Sequence, residues 1–327
     1  MVPILRLLIP LLFLYSCEQK NIGVIHWSTH FHHLSKEKKY SDSLGEKTPW
    51  MVRYFDVVWE NGEATPTAVA HLPENLPIHS SAIYIQRQVV ENTSKAELPT
   101  LSKKIISMIQ QMETISHSNS KELLVDFDWG KKTKSKYFEL ISILKKSFPT
   151  KVVSTTIRLS QFANPKVYGV PPSSKGLLML YQTGSLNQPD RPLLWEKSEV
   201  QQYLKQSNYP ISLDVAIPAF SWSIIQRKVT IKNKKNISIV FPSYLQELQT
   251  NKHFKQIETN VFLCIQPHFF HGFFLINGDR VKCEKVSEND LKWAMEKAKS
   301  IAKKDGIVYL YLIEEASNGL YPADWFR

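Results

Sequence analysis

Short apolar segments alternate with amphipathic, helix-like segments along most of the chain, from residue 23 to residue 315. Eight of the apolar segments have the length and the β-branched and aromatic content that are typical of strands. These segments cover residues 23–28, 50–59, 81–87, 122–129, 151–159, 176–184, 212–222 and 306–315. Apolar residues recur at helical spacing in residues 98–115, 135–147, 196–206 and 288–303. The alternation of strands with helices predicts a parallel sheet.

The number of predicted strands favours a closed α/β barrel. Eight parallel strands form a (β/α)8, or TIM, barrel of about 250 residues, and the chain has 327. Residues 36–49 are polar and loop-like and residues 60–66 are predicted to form a turn. Helices are therefore missing or degenerate between the first strands, which leaves an incomplete barrel as an alternative to a complete one. Residues 224–286 contain strand-like segments in succession, which predicts a β-rich insertion. The absence of Gly-rich nucleotide-binding and GxSxG motifs disfavours doubly wound folds.

The N-terminus has the pattern of an export signal. Residues 1–16 contain one Arg and an apolar run that is too short to span a bilayer. Residues 14–17, LYSC, resemble the lipobox of bacterial lipoproteins, which implies that Cys17 carries acyl chains such as palmitate and anchors the protein to a membrane. The predicted organisation is a signal peptide (1–16), a lipidated Cys with a tether (17–22) and a barrel domain (23–327). A plain secretory signal is the alternative.

Composition and charge narrow the possible partners. The chain is 43% hydrophobic with a net charge of +11, and its basic residues are scattered among acids. Nucleic-acid binding needs a concentrated basic footprint, so we expect no nucleic acid and interpret the charge as a solvated surface near anionic lipid. We expect a monomer. Cys264 and Cys283 are compatible with a disulfide in an exported protein and equally with two buried thiols.

The most acidic strand end is residues 122–130, ELLVDFDWG. Asp126 and Asp128 alternate onto one face of this strand, and buried carboxylates are costly without partners. In a TIM barrel, catalytic groups lie at the C-terminal ends of the strands. The two acids are therefore candidates for a catalytic or binding site. The structural alternative is that they cap the next helix or pair with Lys and Arg.

Glycoside hydrolysis requires two carboxyl groups with different roles. The candidates at predicted strand ends are Asp126, Asp128, Asp214 and Glu314, followed by Glu315 and Asp56. We hypothesise that Asp128 is the acid or an electrostatic group, that Asp126 orients it, and that Asp214 or Glu314 is the opposing carboxylate. Crowded like charges raise at least one pKa, which suits a general acid.

Arginine and aromatic residues near strand ends are candidates for substrate binding. Arg158 and Tyr181 would position a substrate or stabilise charge, and tryptophans could stack on sugar rings or pack the barrel. Arg53 and Asp56 are separated by an odd number of positions, which in a regular strand places them on opposite faces. The predicted substrate-binding set is Arg53, Asp56, Arg158, Tyr181, Trp222 and Trp129, with Trp27 and Trp59 as further stacking candidates.

Two other classes of function remain open. The same acids and arginines could form a satisfied ionic network, which would make the protein a non-catalytic glycan-binding or structural barrel. A divalent-metal hydrolase using Asp126, Asp128 and histidines of residues 26–33 is the third class. The histidine spacing lacks the partners of a familiar zinc site, so no metal and no cofactor is predicted.

Several segments resemble known proteins. RYFDVVW, ELLVDFDW, STTIRLSQ, YGVPPSSKGLLMLYQTG and YPISLDVAIPAFSW resemble, in this order, an uncharacterised family of Bacteroidetes-type bacterial lipoproteins, over most of residues 24–315. A more distant resemblance is to chitinase-type barrels of glycoside hydrolase family 18, whose fourth strand ends in DxxDxDxE. Asp126 and Asp128 match its DxD part, whereas Leu123 and Gly130 replace the first Asp and the proton-donating Glu. These resemblances imply an exported, carbohydrate-directed TIM barrel on the periplasmic or surface face of the outer membrane.

Overall fold

The computed structural model describes residues 22–312 with gaps at 33, 46, 75, 186, 187, 189, 190, 206, 207, 229–236 and 304. The predicted signal peptide, Cys17 and most of the tether, together with Glu314 and Glu315, therefore lie outside the described residues. No helix in the described ranges is both long enough and apolar enough to cross a membrane.

The described elements are sixteen strands and nine α-helices. The strands are β1 Ile22–His26, β2 Trp50–Glu60, β3 Glu63–Thr67, β4 Ile78–Ile85, β5 Glu122–Asp126, β6 Val152–Arg158, β7 Lys175–Met179, β8 Leu213–Pro218, β9 Ser221–Arg227, β10 Ile237–Pro242, β11 Phe254–Glu258, β12 Val261–Cys264, β13 His268–Phe270, β14 Phe273–Leu275, β15 Arg280–Lys285 and β16 Val308–Leu312. The helices are α1 Leu34–Leu44, α2 Arg87–Asn92, α3 Leu98–Ile115, α4 Lys134–Ser147, α5 Leu159–Ala163, α6 Pro165–Tyr168, α7 Lys197–Tyr203, α8 Leu245–Thr250 and α9 Glu288–Ala302.

Eight parallel strands close a (β/α)8 barrel. Their order is β1, β2, β4, β5, β6, β7, β8 and β16, and β16 pairs with β1 to complete the ring. Most of the strand residues are buried because the barrel interior covers one face and helices cover the other. Gly23 lies where a Cβ would be 2.6 Å from the Tyr309 ring, so glycine makes room for that ring. The predicted fold class is confirmed.

The first connections of the barrel differ from the prediction. Residues 34–44 form α1, although 36–49 were expected to be a loop; this helix is polar and buries only Glu37, Ser41 and Leu44, which is too few residues for a periodic signal. In place of a helix after β2, the chain turns at Asn61 and Gly62 with positive φ and pairs β3 against β2. The amphipathic pattern does predict α3, α4, α7 and α9, and α3 spans residues 98–115 as predicted, whereas the short helices α2, α5, α6 and α8 were not predicted.

The β-rich insertion is a separate layer with its own core. It follows β8 and precedes α9, and it contains an antiparallel sheet in the order β10, β9, β15, β12, β11 and a hairpin of β13 and β14. Phe241, Phe262 and Phe270 belong to its apolar cluster. Cys264 and Cys283 are buried there as free thiols, so the structure decides between the two alternatives that the sequence left open.

Candidate functional site

The C-terminal ends of the barrel strands form an opening, here called the mouth. Asp126 is the last residue of β5, and its carboxylate is largely buried. Thr156 Oγ1 donates a hydrogen bond of 2.7 Å to Asp126 Oδ1, and Arg158 Nη2 lies 3.4 Å from the same oxygen. Both partners belong to β6, the neighbouring strand. Asp126 is therefore a buried carboxylate that accepts hydrogen bonds from one hydroxyl and one guanidinium.

Arg53 and Asp56 form a second ion pair, on β2. Arg53 Nε donates to Asp56 Oδ1 at 2.7 Å, and its Nη2 pairs with Oδ2. The odd spacing predicted opposite faces, and this expectation is wrong. The register of β2 against β4 shifts between Arg53 and Phe55, and such a bulge changes the alternation of side chains.

The register of three strands places Asp56 next to Tyr84, and Tyr84 next to Asp126. Burial raises the pKa of Asp56, while the hydrogen bond and charge of Arg53 partly offset this effect and the charge of Asp126 adds to it. Burial and the same two carboxylates raise the pKa of the Tyr84 phenol. Tyr84 therefore remains a protonated hydroxyl between two acids. Each of the three residues lies within a predicted strand, which was the signal available in the sequence. That they are neighbours follows only once the order and register of the strands are known.

Asp128 differs from Asp126 in its exposure. It lies beyond the end of β5 with 61% of its side chain exposed. Gln161 Nε2 donates to Asp128 Oδ1 at 3.3 Å, and Arg87 Nη2 lies 3.9 Å from Oδ2. At Gly130, a Cβ would meet nothing closer than Arg87 Nη1 at 3.9 Å. The position aligned with the proton-donating Glu therefore has room for a side chain and carries none.

Aromatic rings continue the mouth on its other side. The Tyr181 ring lies edge-on to Phe220 and to Tyr311, each at 5.8 Å between centroids. The Trp222 ring lies 5.6 Å from Phe220, and Trp27 lies 6.0 Å from Tyr311. Burial raises the pKa of both tyrosines well above the ordinary value. Tyr181 and Trp222 are thus brought together as predicted substrate-binding residues, whereas the sequence analysis missed Phe220 and Tyr311.

Arg158 connects the acidic and aromatic sides of the mouth. Burial tends to lower the pKa of its guanidinium, but the charge of Asp126 and the nearby Tyr181 raise it above the ordinary value overall. Arg158 therefore stays cationic. Arg158, a predicted substrate-binding residue, thus lies beside Asp126, one of the candidate acids.

Two tryptophans that were predicted to stack on a sugar lie away from the mouth. Trp129 is buried, packs on Tyr137 of α4 at 5.6 Å and donates from Nε1 to the Tyr168 carbonyl at 3.1 Å. Its ring fills space between the barrel and its helices, so it cannot stack on a sugar in this arrangement. Trp59 lines a separate cavity of about 250 Å³ with residues of α3, among them Leu101 and Lys104.

Asp214 lies at the opposite end of the barrel. It is the second residue of β8, where it pairs with Lys175, the first residue of β7. Lys175 Nζ also lies 3.0 Å from Glu122 Oε2, and the Ile307 N–H donates to Asp214 Oδ1 at 2.9 Å. Burial raises the pKa of Asp214, an effect that Lys175 partly offsets. The expectation that Asp214 opposes Asp128 is therefore wrong. Asp214 was expected near the end of its strand but lies near the start, and this position places it at the other end of the barrel.

The histidines after β1 make structural contacts. His26 is buried, with Nδ1 3.1 Å from Glu37 Oε1 and Nε2 3.1 Å from the His30 carbonyl oxygen. The His30 ring stacks with His32 at 5.3 Å. Among the described residues, no group of three or more His, Cys, Asp and Glu side chains has a geometry that could hold a metal ion.

No protein-family model and no curated protein matches the chain. Similar solved structures include a glycoside hydrolase family 18 N-acetylglucosaminidase from Paenibacillus barengoltzii, at 10% identity and a TM-score of 0.50, covering 94% of this chain and 99% of that one. The spore cortex-lytic enzyme SleL from Bacillus cereus matches at 13% identity and a TM-score of 0.49 over 94% and 73%. A family 18 chitinase from Cycas revoluta in complex with (GlcNAc)3 matches at 12% and 0.46 over 94% and 97%. At such an identity the similarity to the Paenibacillus protein shows the fold alone, a TIM barrel.

Proposed function

We propose that this protein is an exported, lipid-anchored barrel that binds a glycan at its mouth without hydrolysing it. The carrying observation is the composition of the mouth: polar side chains fixed by ion pairs lie beside exposed parts of aromatic rings. Arg158 and Asp126 offer fixed hydrogen-bonding groups, and Trp27 and Trp222 offer ring surface. Glycan sites combine such polar groups with apolar ring contacts.

The state of the carboxylates favours binding over hydrolysis. Asp126, which is buried, and Asp56, which is half-buried, are each held by an arginine. Asp128 is exposed, and Gly130 occupies the place of the proton donor in the resemblance to family 18. A general acid must hold a proton beside the leaving oxygen. Both oxygens of Asp56 are hydrogen-bonded to Arg53, and Oδ1 of Asp126 accepts from Thr156 and Arg158. Little of either carboxyl is therefore left to face a leaving oxygen.

The name of the Paenibacillus protein supports a choice of first ligands. That protein is an N-acetylglucosaminidase with the same barrel fold. Oligosaccharides of N-acetylglucosamine are therefore the first glycans to test, followed by other bacterial and host glycans. The ligand class is inferred from the mouth chemistry and the shared fold together.

Glycoside hydrolysis is the second candidate, and one observation favours it. Burial raises the pKa of Asp56, and the register places Tyr84 between Asp56 and Asp126. A carboxyl with a raised pKa near an ionised partner is the arrangement of a general acid. In this second candidate, Asp56 donates the proton and Asp126 stabilises the developing positive charge.

One experiment separates these candidates. Wild-type protein is titrated with N-acetylglucosamine oligosaccharides by calorimetry, and the release of reducing ends is followed in the same samples. Binding without release supports the first proposal, and release that Asp56→Asn abolishes supports the second. Trp27→Ala should weaken binding, whereas Trp293→Ala, a half-buried tryptophan beside Lys197 on the outside of the barrel, should not. Neither binding nor release across the glycan panel would contradict both.

The anchor has its own test. The proposal that Cys17 is acylated rests on residues 14–17 and their position after an apolar run. Growth with a clickable palmitate analogue should label the wild-type protein in the membrane fraction. Cys17→Ser should lose the label, and a plain secretory signal would leave both proteins unlabelled.

A further inference from the structure

The insertion carries an apolar hairpin on its surface. Residues 265–276, here called the phenylalanine hairpin, contain β13 and β14, and Phe269 pairs with Phe274 across these two strands. Their rings lie 5.1 Å apart, with Phe269 75% exposed and Phe274 51% exposed. Phe270 and Leu275 point the other way and are buried in the core of the insertion. One face of the hairpin therefore holds it in place, and the other presents two aromatic rings to solvent.

The exposed face extends beyond the two rings. Ile265 and Ile276 at the base of the hairpin are also exposed. Single exposed apolar residues are ordinary on protein surfaces, but four on one hairpin, two of them with their rings in contact, are a feature of the kind that marks an interaction site. Residues 259–278 contain no Asp, Glu, Lys or Arg. The segment therefore has no charged side chain of its own to desolvate on insertion, and the carboxylate that it contacts at the tip, Glu247, lies 2.7 Å from His271 Nε2 and is half-exposed.

The tip of the hairpin is accessible, and its base is rigid. The turn at His271 and Gly272 has positive φ at both residues, and a Cβ on Gly272 would meet no atom within 4 Å. At the base, the Phe270 ring packs edge-on against Phe254 at 5.2 Å and Tyr244 at 6.0 Å. A preformed hairpin loses little conformational entropy when it binds.

Basic residues flank the patch. Lys252 and Lys255 are exposed on either side of Phe254, and the His253 carbonyl accepts a hydrogen bond of 2.9 Å from the Ile265 N–H. In sequence, residues 221–286 contain ten Lys and Arg but only four Asp and Glu. An apolar tip with cations behind it is complementary to an anionic lipid surface, where side chains enter the acyl boundary and lysines remain at the headgroups.

We propose that the phenylalanine hairpin inserts Phe269 and Phe274 into the interface of a bilayer that contains anionic phospholipid. This contact is independent of the acyl chains proposed for Cys17, and it is independent of glycan binding at the mouth. The acyl chains and the hairpin would be two separate membrane contacts, and a second contact adds to the affinity. The hairpin would supply that second contact and fix the insertion against the membrane.

The test uses the full-length protein with Cys17→Ser, so that no acyl chain can contribute. Ile276→Cys is labelled with an environment-sensitive thiol dye, and Ile115→Cys, at the exposed end of α3, is the matched control. The remaining cysteines, Cys264 and Cys283, are buried. Phosphatidylcholine vesicles with phosphatidylglycerol should shift the emission of the dye at position 276 to the blue and leave the dye at 115 unchanged. All variants contain the predicted signal peptide, so a difference in dye emission between positions 276 and 115 reports contact of the hairpin with the vesicles.

Two variants sharpen the test. Phe269→Ser with Phe274→Ser should weaken the response at position 276 to phosphatidylglycerol vesicles by about tenfold, because two rings lose burial. Lys252→Glu with Lys255→Glu should remove the preference for phosphatidylglycerol over pure phosphatidylcholine. Emission that stays water-like with both vesicle types would overturn the proposal. A blue shift without vesicles that grows with protein concentration would also overturn it, in favour of a second copy of the chain as the partner.

Discussion

The two ends of the barrel each contain buried carboxylates with a basic partner, yet they differ in what surrounds them. At the N-terminal end, Lys175 lies between Glu122 and Asp214, whose side chains are 1% and 2% exposed. At the mouth, the carboxylate of Asp126 is shared by Arg158 and Thr156, and the exposed Asp128 lies just beyond it. The two carboxylates of the first group are almost fully buried, although their cation Lys175 is 21% exposed and borders a cavity of about 250 Å³. The second group includes a carboxylate, that of Asp128, which is mostly exposed.

This difference shows that burial of charge does not identify a functional site. Buried ion pairs are as compatible with structure as with catalysis. What separates the two groups is the position along the strand, since the C-terminal ends of barrel strands carry function and the N-terminal ends contribute stability. Asp214 and Asp126 look equivalent in the sequence, but they lie at opposite ends because one is near the start of its strand and the other is at the end.

The largest expected effect is at the N-terminal end. Lys175→Met leaves Glu122 and Asp214 buried without their cation and should lower the free energy of unfolding by about 3–5 kcal/mol. Urea unfolding measures this loss. Lys104→Met, which removes an exposed pair with Glu63, is the control and should change stability by about 0–1 kcal/mol. A loss as small as that of the control would mean that the network is not structural.

At the mouth, Arg158→Met should have a smaller effect on stability. Asp126 keeps the hydrogen bond from Thr156 and lies nearer to solvent, so we expect a loss of about 2 kcal/mol in urea unfolding. Glycan affinity, measured by calorimetry, should fall at least tenfold in Arg158→Met. The folded fraction of Lys175→Met should not show this loss of affinity. Equal losses of stability in the two variants would remove the distinction between the ends.

The pH dependence of stability should have the same sign at both ends. Burial raises the folded-state pKa of Asp214 and of Asp56 above the ordinary value of 3.8. The folded protein therefore binds these protons more tightly than the unfolded chain, and the stabilisation is present below 3.8 and lost as pH rises through the folded pKa. As pH rises from 3.8 through the folded-state pKa of each carboxyl, wild type should lose stability relative to Asp214→Asn and Asp56→Asn. Urea midpoints across pH measure it, and a constant difference would contradict the raised pKa values.

The smallest change in stability is expected at Asp128. Its carboxylate is mostly exposed, so Asp128→Asn should alter the free energy of unfolding by about 0.5 kcal/mol or less. Glycan affinity should nevertheless decrease several-fold, because the exposed carboxylate lies beside Gln161 at the mouth. Glu63→Gln is the matched control for an exposed acid and should leave affinity unchanged. Unchanged affinity in Asp128→Asn would remove this residue from the site.

Much of the fold could be predicted because its signals are local. The eight barrel strands are short apolar segments between turns, and α3 has apolar residues at regular helical spacing. The prediction failed for α1, whose buried residues include Glu37 and Ser41 and thus give no apolar periodicity. It also failed for the relation of Arg53 to Asp56, because a bulge depends on the pairing of β2 with β4 and not on β2 alone.

The sequence by itself determined the barrel, the late β-rich insertion and the acidic end of the fourth barrel strand, since hydrophobic periodicity and strand length encode these features directly. Only the tertiary structure decided which charged groups share an end of the barrel. It separated Asp214 from Asp126, buried Trp129 under α4 and joined Tyr84, Tyr181 and Tyr311 to the mouth. The physical reason is that side-chain neighbours in a barrel are set by the register between strands that are far apart in the chain.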